Sequence, residues 1–107
     1  MWFLSLIRDS QSICLVSKVD GTHSGFILLR KGTLGYEISV NVLYKFRNQG
    51  MGRALLSEME ARARQIGITA LYALVLKSNE ASSKLFLSQS FNILEVGHDT
   101  ILYQKLL

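Results

Sequence analysis

The sequence predicts a single mixed α/β domain, in which a mostly antiparallel sheet with one central parallel pair of strands is flanked by helices. Two observations lead to this fold class. Three strand-like segments in the first half are joined by short turns that contain glycine, which is typical of an antiparallel meander. An amphipathic helix then separates the last of them from a wholly apolar segment. Since a strand reached through a helix normally runs parallel to the strand before it, this step supplies the parallel pair.

The first half of the chain begins with an apolar segment, residues 2–8, which we predict to be a short helix. Residues 13–18 and 25–30 then read as two strands. Asp20 and Gly21 lie between them and suit the backbone of a tight hairpin turn. The meander therefore starts with a hairpin, after the short helix.

Residues 36–42 are the third predicted strand, because apolar side chains occupy every second position. Residues 50–65 follow as the amphipathic helix, with apolar side chains at helical spacing. Gly67 ends this helix as a C-terminal cap. The helix also carries two acid–base pairs at the i,i+4 spacing, which we expect on its solvent-exposed side: Glu58–Arg62 and Glu60–Arg64.

The wholly apolar segment spans residues 71–76, and its pattern predicts a central strand that is buried on both faces. Either Ser78 or Asn79 can cap the helix that follows. Residues 91–96 and 100–106 are the last two strands and form a closing hairpin.

Composition narrows the classes of function. Lys and Arg number 12 against 8 Asp and Glu, but the basic residues are scattered or paired with acids, so we predict no nucleic-acid partner. Cys14 is the single cysteine and lies in an apolar run, so it is predicted to be a buried core residue in a protein of a reducing compartment, the cytoplasm. His23 and His98 are isolated, and we therefore predict no metal site.

The distribution of hydrophobic residues indicates whether the chain associates with membranes and whether it oligomerises. The apolar start of the chain lacks the basic residues and cleavage site of a signal peptide, and no apolar run is long enough to cross a bilayer. Hydrophobic residues make up 49% of the chain, which is more than a domain this small is expected to bury. We therefore predict a homodimer without membrane association.

Residues 47–52, Arg-Asn-Gln-Gly-Met-Gly, join the third strand to the amphipathic helix. The first amides of a helix have no partner inside it, and the helix dipole adds positive charge at that point. Glycines here let a ligand oxygen approach the main chain. The joint is therefore predicted to bind a pyrophosphate or a similar anion.

Two well-known nucleotide motifs do not fit this joint. The dinucleotide fingerprint needs a third glycine where this chain has Leu55, and the Walker motif needs Gly-Lys-Ser/Thr where Arg53 and Ala54 follow Gly52. A generic phosphate-binding module remains open as an interpretation of the loop alone.

What remains is the pattern Arg47-x-x-Gly50-x-Gly52 after a strand, which closely resembles the coenzyme A loop of the GCN5-related N-acetyltransferases, the GNAT family. A second segment, residues 78–91, is similar to the helix of that family with the pattern N-E-A-x-x-x-L-Y-x-x-x-G-F. The two segments occur in the right order and spacing, and the resemblance covers residues from about 24 to 107. It implies the GNAT fold without the family's first strand and helix, so the chain resembles a small or N-terminally shortened member. Since those elements normally help wall the acceptor site, a partner subunit could supply the wall.

The resemblance also implies how acetyl-CoA, the cosubstrate, is held. The amides of the loop bind the pyrophosphate, the pantetheine arm enters a gap between the third and fourth predicted strands, and an asparagine side chain binds that arm. The cofactor-binding residues predicted in this way are Val40, Val42, Arg47, Gln49, Gly50, Met51, Gly52, Arg53, Asn79, Ser82 and Phe86.

The catalytic groups depart from the family pattern. A tyrosine that protonates the leaving thiolate in many members is replaced here by Phe86, and a glutamate found in some members is replaced by Leu74. We predict Glu37 as the base, with Ser39 and Asn41 beside it on the same strand face. An ordinary exposed carboxylate is the alternative reading of Glu37, and Tyr72 and Tyr103 are fallback acids.

The function predicted from the resemblance is transfer of an acetyl group from acetyl-CoA to a primary amine of a small molecule. The phenylalanine at position 86, together with Trp2-Phe3 and the pattern Asn79-x-x-Ser82-x-x-Leu85-Phe86, makes the chain similar to a subgroup that acetylates amino groups of nucleotide-linked sugars. A second hypothesis is a GNAT domain of little or no activity that binds coenzyme A as a regulatory or interaction module.

Overall fold

The computed structural model describes residues 2–9, as backbone only, and residues 12–107. Seven strands form one sheet in the order β1-β2-β3-β4-β5-β7-β6. The strands are β1 (Trp2–Asp9), β2 (Ser12–Val19), β3 (Thr22–Lys31), β4 (Tyr36–Val42), β5 (Ala70–Leu76), β6 (Asn92–Val96) and β7 (Thr100–Leu106). The helices are α1 (Met51–Gln65) and α2 (Glu80–Ser88), and a 3₁₀ turn spans Tyr44–Phe46. Among the described residues, β4 and β5 are the single parallel pair of neighbours, so the predicted fold class is confirmed.

The prediction of a helix at residues 2–8 is wrong, because this segment is strand β1. Its backbone pairs with β2 in antiparallel register from Trp2 opposite Lys18 to Asp9 opposite Ser12. A helix of seven residues is marginal by itself, whereas a strand here satisfies the backbone groups along the edge of β2. The pairing partner lies outside the segment, so the local pattern did not reveal it.

The remaining elements lie close to their predicted bounds, and β4 coincides with residues 36–42. Asp20 and Gly21 form the β2–β3 turn with φ angles of 50° and 79°, which is the left-handed backbone expected of a tight hairpin. Gly67 (φ 83°) follows α1, and its N–H bonds the carbonyl of Arg64. The chemistry of these turns was readable from the sequence because it is local.

One hydrophobic core joins both helices to one face of the sheet. Its fully buried members include Leu15 and Ile27 from the meander, Leu55 from α1, and Tyr103 from β7, and α2 adds Phe86. Cys14 is also buried, as predicted. The two helices therefore share a face of the sheet, and a ligand between them can reach the strands beneath.

The prediction that residues 71–76 are buried on both faces is wrong. Leu71, Ala73 and Val75 are buried in the core, but Leu74 and Leu76 on the other face of β5 are 64% and 57% exposed. Both helices pack on the opposite face, so nothing in the described part of the chain covers these leucines. We call the face that carries Leu74 and Leu76 the outer face of the sheet.

Of the two acid–base pairs predicted on α1, the structure contains one. Glu58 bonds Arg62 at 3.2 Å, as predicted. Glu60 is instead turned toward the core, 7% exposed, and its two carboxylate oxygens accept bonds of 3.1 and 3.0 Å from Nζ of Lys105. The same Nζ donates to the carbonyl of Gln89 at 2.8 Å. The Glu60–Arg64 prediction is therefore wrong, because a cation from β7 reaches the carboxylate inside the core.

Candidate active site

A slot opens between the two parallel strands. They pair only at Tyr36 with Leu71 and Glu37 with Tyr72. Beyond these pairs β4 stays paired with β3, and β5 stays paired with β7 along its whole length. The carboxyl-terminal halves of β4 and β5 therefore separate, and we call the gap between them the slot. Its main-chain groups on the β4 side are free of a β5 partner.

Gly25 brings β4 close to β3 beside the slot. A Cβ at this position would lie 2.5 Å from the carbonyl oxygen of Asn41 and 3.2 Å from Cα of Val42. Both contacts involve main chain, so any side chain at position 25 would push the end of β4 away from β3. The absence of a side chain at Gly25 thus favours the wide end of the slot.

The N-terminus of α1 lies at the end of β4 and has no side-chain cap. Asn48 and Gly50 have φ angles of 61° and 79°, and this left-handed backbone turns the chain into the helix. Gly50 is the N-cap residue, it makes no side-chain cap bond, and the first turn contains no acidic residue. The amides of the first turn therefore have no side-chain acceptor, and together with the helix dipole they favour an anion at this point.

Gly52 lies in the first turn of α1, close to side chains of α2 and β4. A Cβ there would lie 3.0 Å from Cδ2 of Leu85 on α2 and 3.7 Å from Cγ2 of Val42 on β4. Glycine thus lets α1, α2 and β4 meet beside the slot. The resulting surface exposes main chain where the pyrophosphate is predicted.

Two cations lie beside the same helix end. Arg47 donates from Nε to the carbonyl of Val42 at 3.1 Å, and its guanidinium carbon lies 5.7 Å from the centre of the Tyr44 ring. Arg53 extends from the first turn of α1 and is exposed. Both side chains line the same surface as Gly50 and Gly52, so the charge around the uncapped amides is positive.

The N-terminus of α2 borders the same region but is capped. Oδ1 of Asn79 accepts a bond of 3.2 Å from the N–H of Ser82, which is the N-cap geometry. Asn79 rather than Ser78 is therefore the cap. Its Nδ2 group makes no hydrogen bond within the described part of the chain, so the amide can donate to a ligand while Oδ1 caps the helix.

These elements enclose one main cleft of about 810 Å³. Ten of the predicted site residues line it: Val40, Asn41, Val42, Arg47, Gly50, Met51, Gly52, Arg53, Asn79 and Ser82. The cleft runs from the slot, past the uncapped end of α1, to the exposed side of α2. It thus offers an apolar end between strands and a positive end between helices.

Four predicted site residues do not line the main cleft: Glu37, Ser39, Gln49 and Phe86. Gln49 bonds back to the carbonyl of Lys45 through Nε2 at 3.3 Å. Ser39 and Glu37 lie on the outer face of β4. The structure thus gathers the predicted cofactor residues around one cleft, apart from Gln49 and Phe86, but it separates two of the three predicted catalytic residues from that cleft.

Glu37 lies at the closed end of the slot, in the last β4–β5 pair. Its carboxylate sits against Gly32, at the place that a Cβ of Gly32 would occupy. The neighbouring Tyr72 ring lies over Gly35, and its hydroxyl accepts a bond of 3.2 Å from Nε2 of Gln104. The Glu37 carboxylate therefore packs against the β3–β4 turn, whereas the Tyr72 hydroxyl is held by β7.

Phe86 is 2% exposed and belongs to the core. Its ring centre lies 5.0 Å from that of Phe91 and 6.0 Å from that of Tyr103. Phenylalanine cannot donate a proton, and the Tyr103 side chain is buried beneath it. The position at which the family resemblance implies an acid is therefore occupied by an aromatic core contact.

Several cleft residues were missed by the sequence reasoning, including Tyr44, Phe46, Lys84 and Ser88. Lys84 and Ser88 are four residues apart, as one face of a helix requires. Ala81 lies three residues before Lys84 and lines the same cleft, so helical spacing could have identified this face once the helix itself was predicted. Tyr44 and Phe46 lie in the 3₁₀ turn, which no local pattern had signalled.

The described residues contain neither a candidate metal centre nor a helix suited to cross a membrane. No group of three or more His, Cys, Asp or Glu side chains lies close enough to hold a metal ion in the part of the chain that the structure describes. None of the described helices has the length and apolar character needed to span a membrane.

Solved structures with the same fold are acetyltransferases. The chain resembles the PaiA N-acetyltransferase of Thermoplasma acidophilum, solved in complex with coenzyme A, with a TM-score of 0.84 and 19% identity over 91% of this chain and 62% of the other. It resembles the ribosomal-protein-alanine N-acetyltransferase of Brucella melitensis with a TM-score of 0.81 and 28% identity over 90% of this chain and 69% of the other. It also resembles YncA of Salmonella typhimurium, solved with its cofactor acetyl-CoA, with a TM-score of 0.80 and 26% identity over 90% and 65%.

The chain thus spans between 62% and 69% of the length of these three proteins. No curated protein matches it significantly in sequence. The model of the acetyltransferase (GNAT) family matches residues 2–91, which include the slot, the glycine loop and the capped second helix. The chain belongs to the acetyltransferase (GNAT) family.

Proposed function

We propose that the chain is an acetyl-CoA-dependent N-acetyltransferase that moves an acetyl group to the primary amine of a small molecule. The observation that carries the proposal is the separation of β4 and β5 after Glu37 and Tyr72, next to the uncapped N-terminus of α1. A slot lined by free main-chain groups suits an extended amide-bearing arm, and a helix end without a cap suits a phosphate. Coenzyme A carries both groups in one molecule.

In this proposal the two ends of the cleft bind different parts of acetyl-CoA. The amides of Met51, Gly52 and Arg53 hold the pyrophosphate through charge-assisted hydrogen bonds, which are stronger than neutral ones. The main chain of Val40 and Val42 pairs with the pantetheine arm as a neighbouring strand would. Asn79 donates from Nδ2 to a carbonyl of that arm. The thioester then lies toward the closed end of the slot.

The chemistry transfers the acetyl group from sulfur to nitrogen. The nitrogen lone pair of the neutral amine attacks the thioester carbonyl, the carbon–sulfur bond breaks, and the amine proton passes to a base or to water. A coenzyme A thiol has a pKa of about 8.5 by analogy with cysteine, so the thiolate leaves without an obligatory acid. Loss of one acid group lowers the rate by roughly 10²–10⁴-fold, and we expect a slow enzyme.

Glu37 is our candidate for the base, with Ser39 and Asn41 along the same strand face. Glu37 lies in the last β4–β5 pair, so an amine approaching the thioester from the outer face passes close to it. Its carboxylate rests against Gly32, and a bound water can extend its reach. Replacement of Glu37 by glutamine is expected to lower turnover more at neutral pH than at high pH, where the amine loses its proton unaided. A uniform effect across pH would remove Glu37 as the base.

Amino groups of nucleotide-linked sugars are the acceptors to test first, since the sequence of this chain resembles the GNAT subgroup that acetylates them. The Brucella melitensis neighbour is a ribosomal-protein-alanine N-acetyltransferase, so a peptide with an N-terminal alanine is the second acceptor to test. Measurement of thiol release with amino-sugar nucleotides, free amino sugars, simple amines and this peptide would identify the class.

Binding should be measured before turnover. One millimolar acetyl-CoA at a micromolar dissociation constant should add about 4 kcal/mol to the free energy of unfolding, visible as a raised melting temperature. ATP and NAD serve as matched controls that carry phosphates without pantetheine. An equal shift with all three would favour a generic phosphate-binding module, and no shift with acetyl-CoA would overturn the proposal.

A second candidate function is a GNAT domain that binds coenzyme A as a regulatory or interaction module. It is favoured by the positions of Phe86, which is a core residue, and Glu37, which does not line the main cleft. Binding of acetyl-CoA without thiol release for any acceptor would support this candidate over the enzyme.

We further propose that the protein is a cytoplasmic homodimer. Exposed apolar side chains on β5 and on the edge strand β6 support the dimer: Leu74, Leu76, Ile93, Leu94 and Val96. The cysteine supports a reducing compartment, because it is single and buried. Sedimentation equilibrium of the purified protein over a range of concentrations tests the dimer, and a monomer at all concentrations would overturn it.

A further inference from the structure

Tyr44 is a solvent-exposed aromatic residue that lines the main cleft. Its side chain is 86% exposed. The neighbouring Phe46 is buried and anchors the 3₁₀ turn, so Tyr44 is presented on a fixed piece of backbone. An aromatic ring leaves a large apolar surface in water, and a ligand in the cleft can bury it.

Arg47 holds a cation over the Tyr44 ring. Its Nε is bound to the carbonyl of Val42 at 3.1 Å, and its guanidinium carbon lies 5.7 Å from the ring centre. This distance is within the range of cation–π attraction. Arg47 therefore restrains the ring from one side, and the remaining surface of the ring stays accessible to a planar group.

The path of the proposed ligand leads to this ring. In the proposed function the pantetheine arm runs into the slot and the pyrophosphate lies at the first turn of α1. The nucleotide end of the molecule must then leave the helix end away from the slot. The 3₁₀ turn begins two residues after the end of β4, so Tyr44 lies beyond the open end of the slot, on the rim of the same cleft.

We propose that Tyr44 stacks against the adenine ring of coenzyme A and makes the nucleotide half of that molecule contribute to affinity. This inference rests on the proposed function and adds a specificity-determining residue to it. Stacking of a base on an aromatic side chain contributes favourably for any base, because every base has a π face. The free guanidinium nitrogens of Arg47 lie within the same cleft and can bind a ribose phosphate of the same nucleotide.

The test measures dissociation constants for two ligands, coenzyme A and 4′-phosphopantetheine, which lacks the adenosine. Tyr44→Leu removes the aromatic ring and keeps an apolar side chain. Since stacking contributes ~1–3 kcal/mol per base and 1.4 kcal/mol is tenfold, we expect coenzyme A to bind at least about 5-fold more weakly to this variant. Binding of 4′-phosphopantetheine should be unchanged, and Tyr44→Phe should bind coenzyme A as the wild type does.

Leu43→Ala is the matched control, because Leu43 is an exposed neighbour that is not part of the main cleft. Melting temperatures confirm that the variants fold, which the exposure of Tyr44 favours. An equal loss of affinity for both ligands in Tyr44→Leu, or no loss for either, would overturn the stacking inference alone. A wild-type protein that binds neither ligand would overturn the proposed function as well.

Discussion

The N-termini of α1 and α2 border the same cleft but are built in opposite ways. At α1, Gly50 provides no side-chain cap, the first turn has no acid, and Arg47 and Arg53 lie nearby. At α2, Asn79 caps the helix through Ser82 and Glu80 occupies the first turn. The first arrangement leaves positive potential for a ligand, and the second satisfies the helix from within.

The difference favours the first turn of α1 as the place where the proposed ligand puts its anion. A helix dipole alone does not distinguish the two ends, because both helices have one. What distinguishes them is whether the chain itself supplies the negative partner.

The largest expected effect concerns stability. Lys105 connects the helices, since its Nζ bonds Glu60 of α1 and the carbonyl of Gln89 at the end of α2. Lys105→Met leaves a buried carboxylate without its cation, and we expect a loss of about 3–5 kcal/mol in the free energy of unfolding. Urea denaturation measures it. The double variant Glu60→Leu with Lys105→Met should recover much of the loss, and a double variant as unstable as the single one would contradict this reading.

The next effect concerns binding at the uncapped helix end. Gly52→Asp places a carboxylate beside the proposed phosphate, and at about 5 Å with an effective dielectric constant of 20 the repulsion is roughly 3 kcal/mol, about 100-fold in the dissociation constant of coenzyme A. Isothermal titration calorimetry measures the change.

Ala81→Asp is the matched control for this charge. It adds the same carboxylate to the first turn of α2, within the same cleft, and its effect on the affinity for coenzyme A should be much smaller. Similar losses in the two variants would show that the ligand does not distinguish the two helix ends.

The capped end is expected to show separate effects on stability and on binding. Asn79→Ser keeps an oxygen that can cap α2 but removes the Nδ2 donor without adding a charge, so stability should be retained while coenzyme A binds up to about 10-fold more weakly, the value of one hydrogen bond. Asn79→Ala should lose both the affinity and about 1 kcal/mol of stability. Thermal denaturation and calorimetry separate the two quantities. Full affinity in Asn79→Ser would limit this residue to its capping role.

The smallest effect concerns an exposed charge. Arg53→Gln removes a cation from the main cleft, and we expect coenzyme A to bind about 5-fold more weakly at low salt, corresponding to roughly 1 kcal/mol for a solvent-exposed pair. The difference should shrink as salt rises. Arg64→Gln removes the same charge from the other end of α1 and should leave binding unchanged, so equal losses in both variants would assign the effect to net charge.

The sequence by itself determined the features whose causes are local. The alternation of residues 36–42 and the glycine-rich joint around Gly50 and Gly52 follow from backbone geometry within a few residues. The sequence also placed the cap of α2 at Ser78 or Asn79, and the structure selects Asn79. The mixed sheet with one parallel step also followed, because a helix between two strands restricts the connection. These features were enough to indicate the position of the cleft.

The tertiary structure alone decided the features that depend on partners distant in the chain. Residues 2–9 form a strand because β2 offers an unpaired edge, and Glu60 turns inward because Lys105, 45 residues away, meets it there. Leu74 is exposed because both helices pack on the other face, although its local pattern is that of a buried strand. Burial and ion pairing are set by which elements meet, and local periodicity does not record that information.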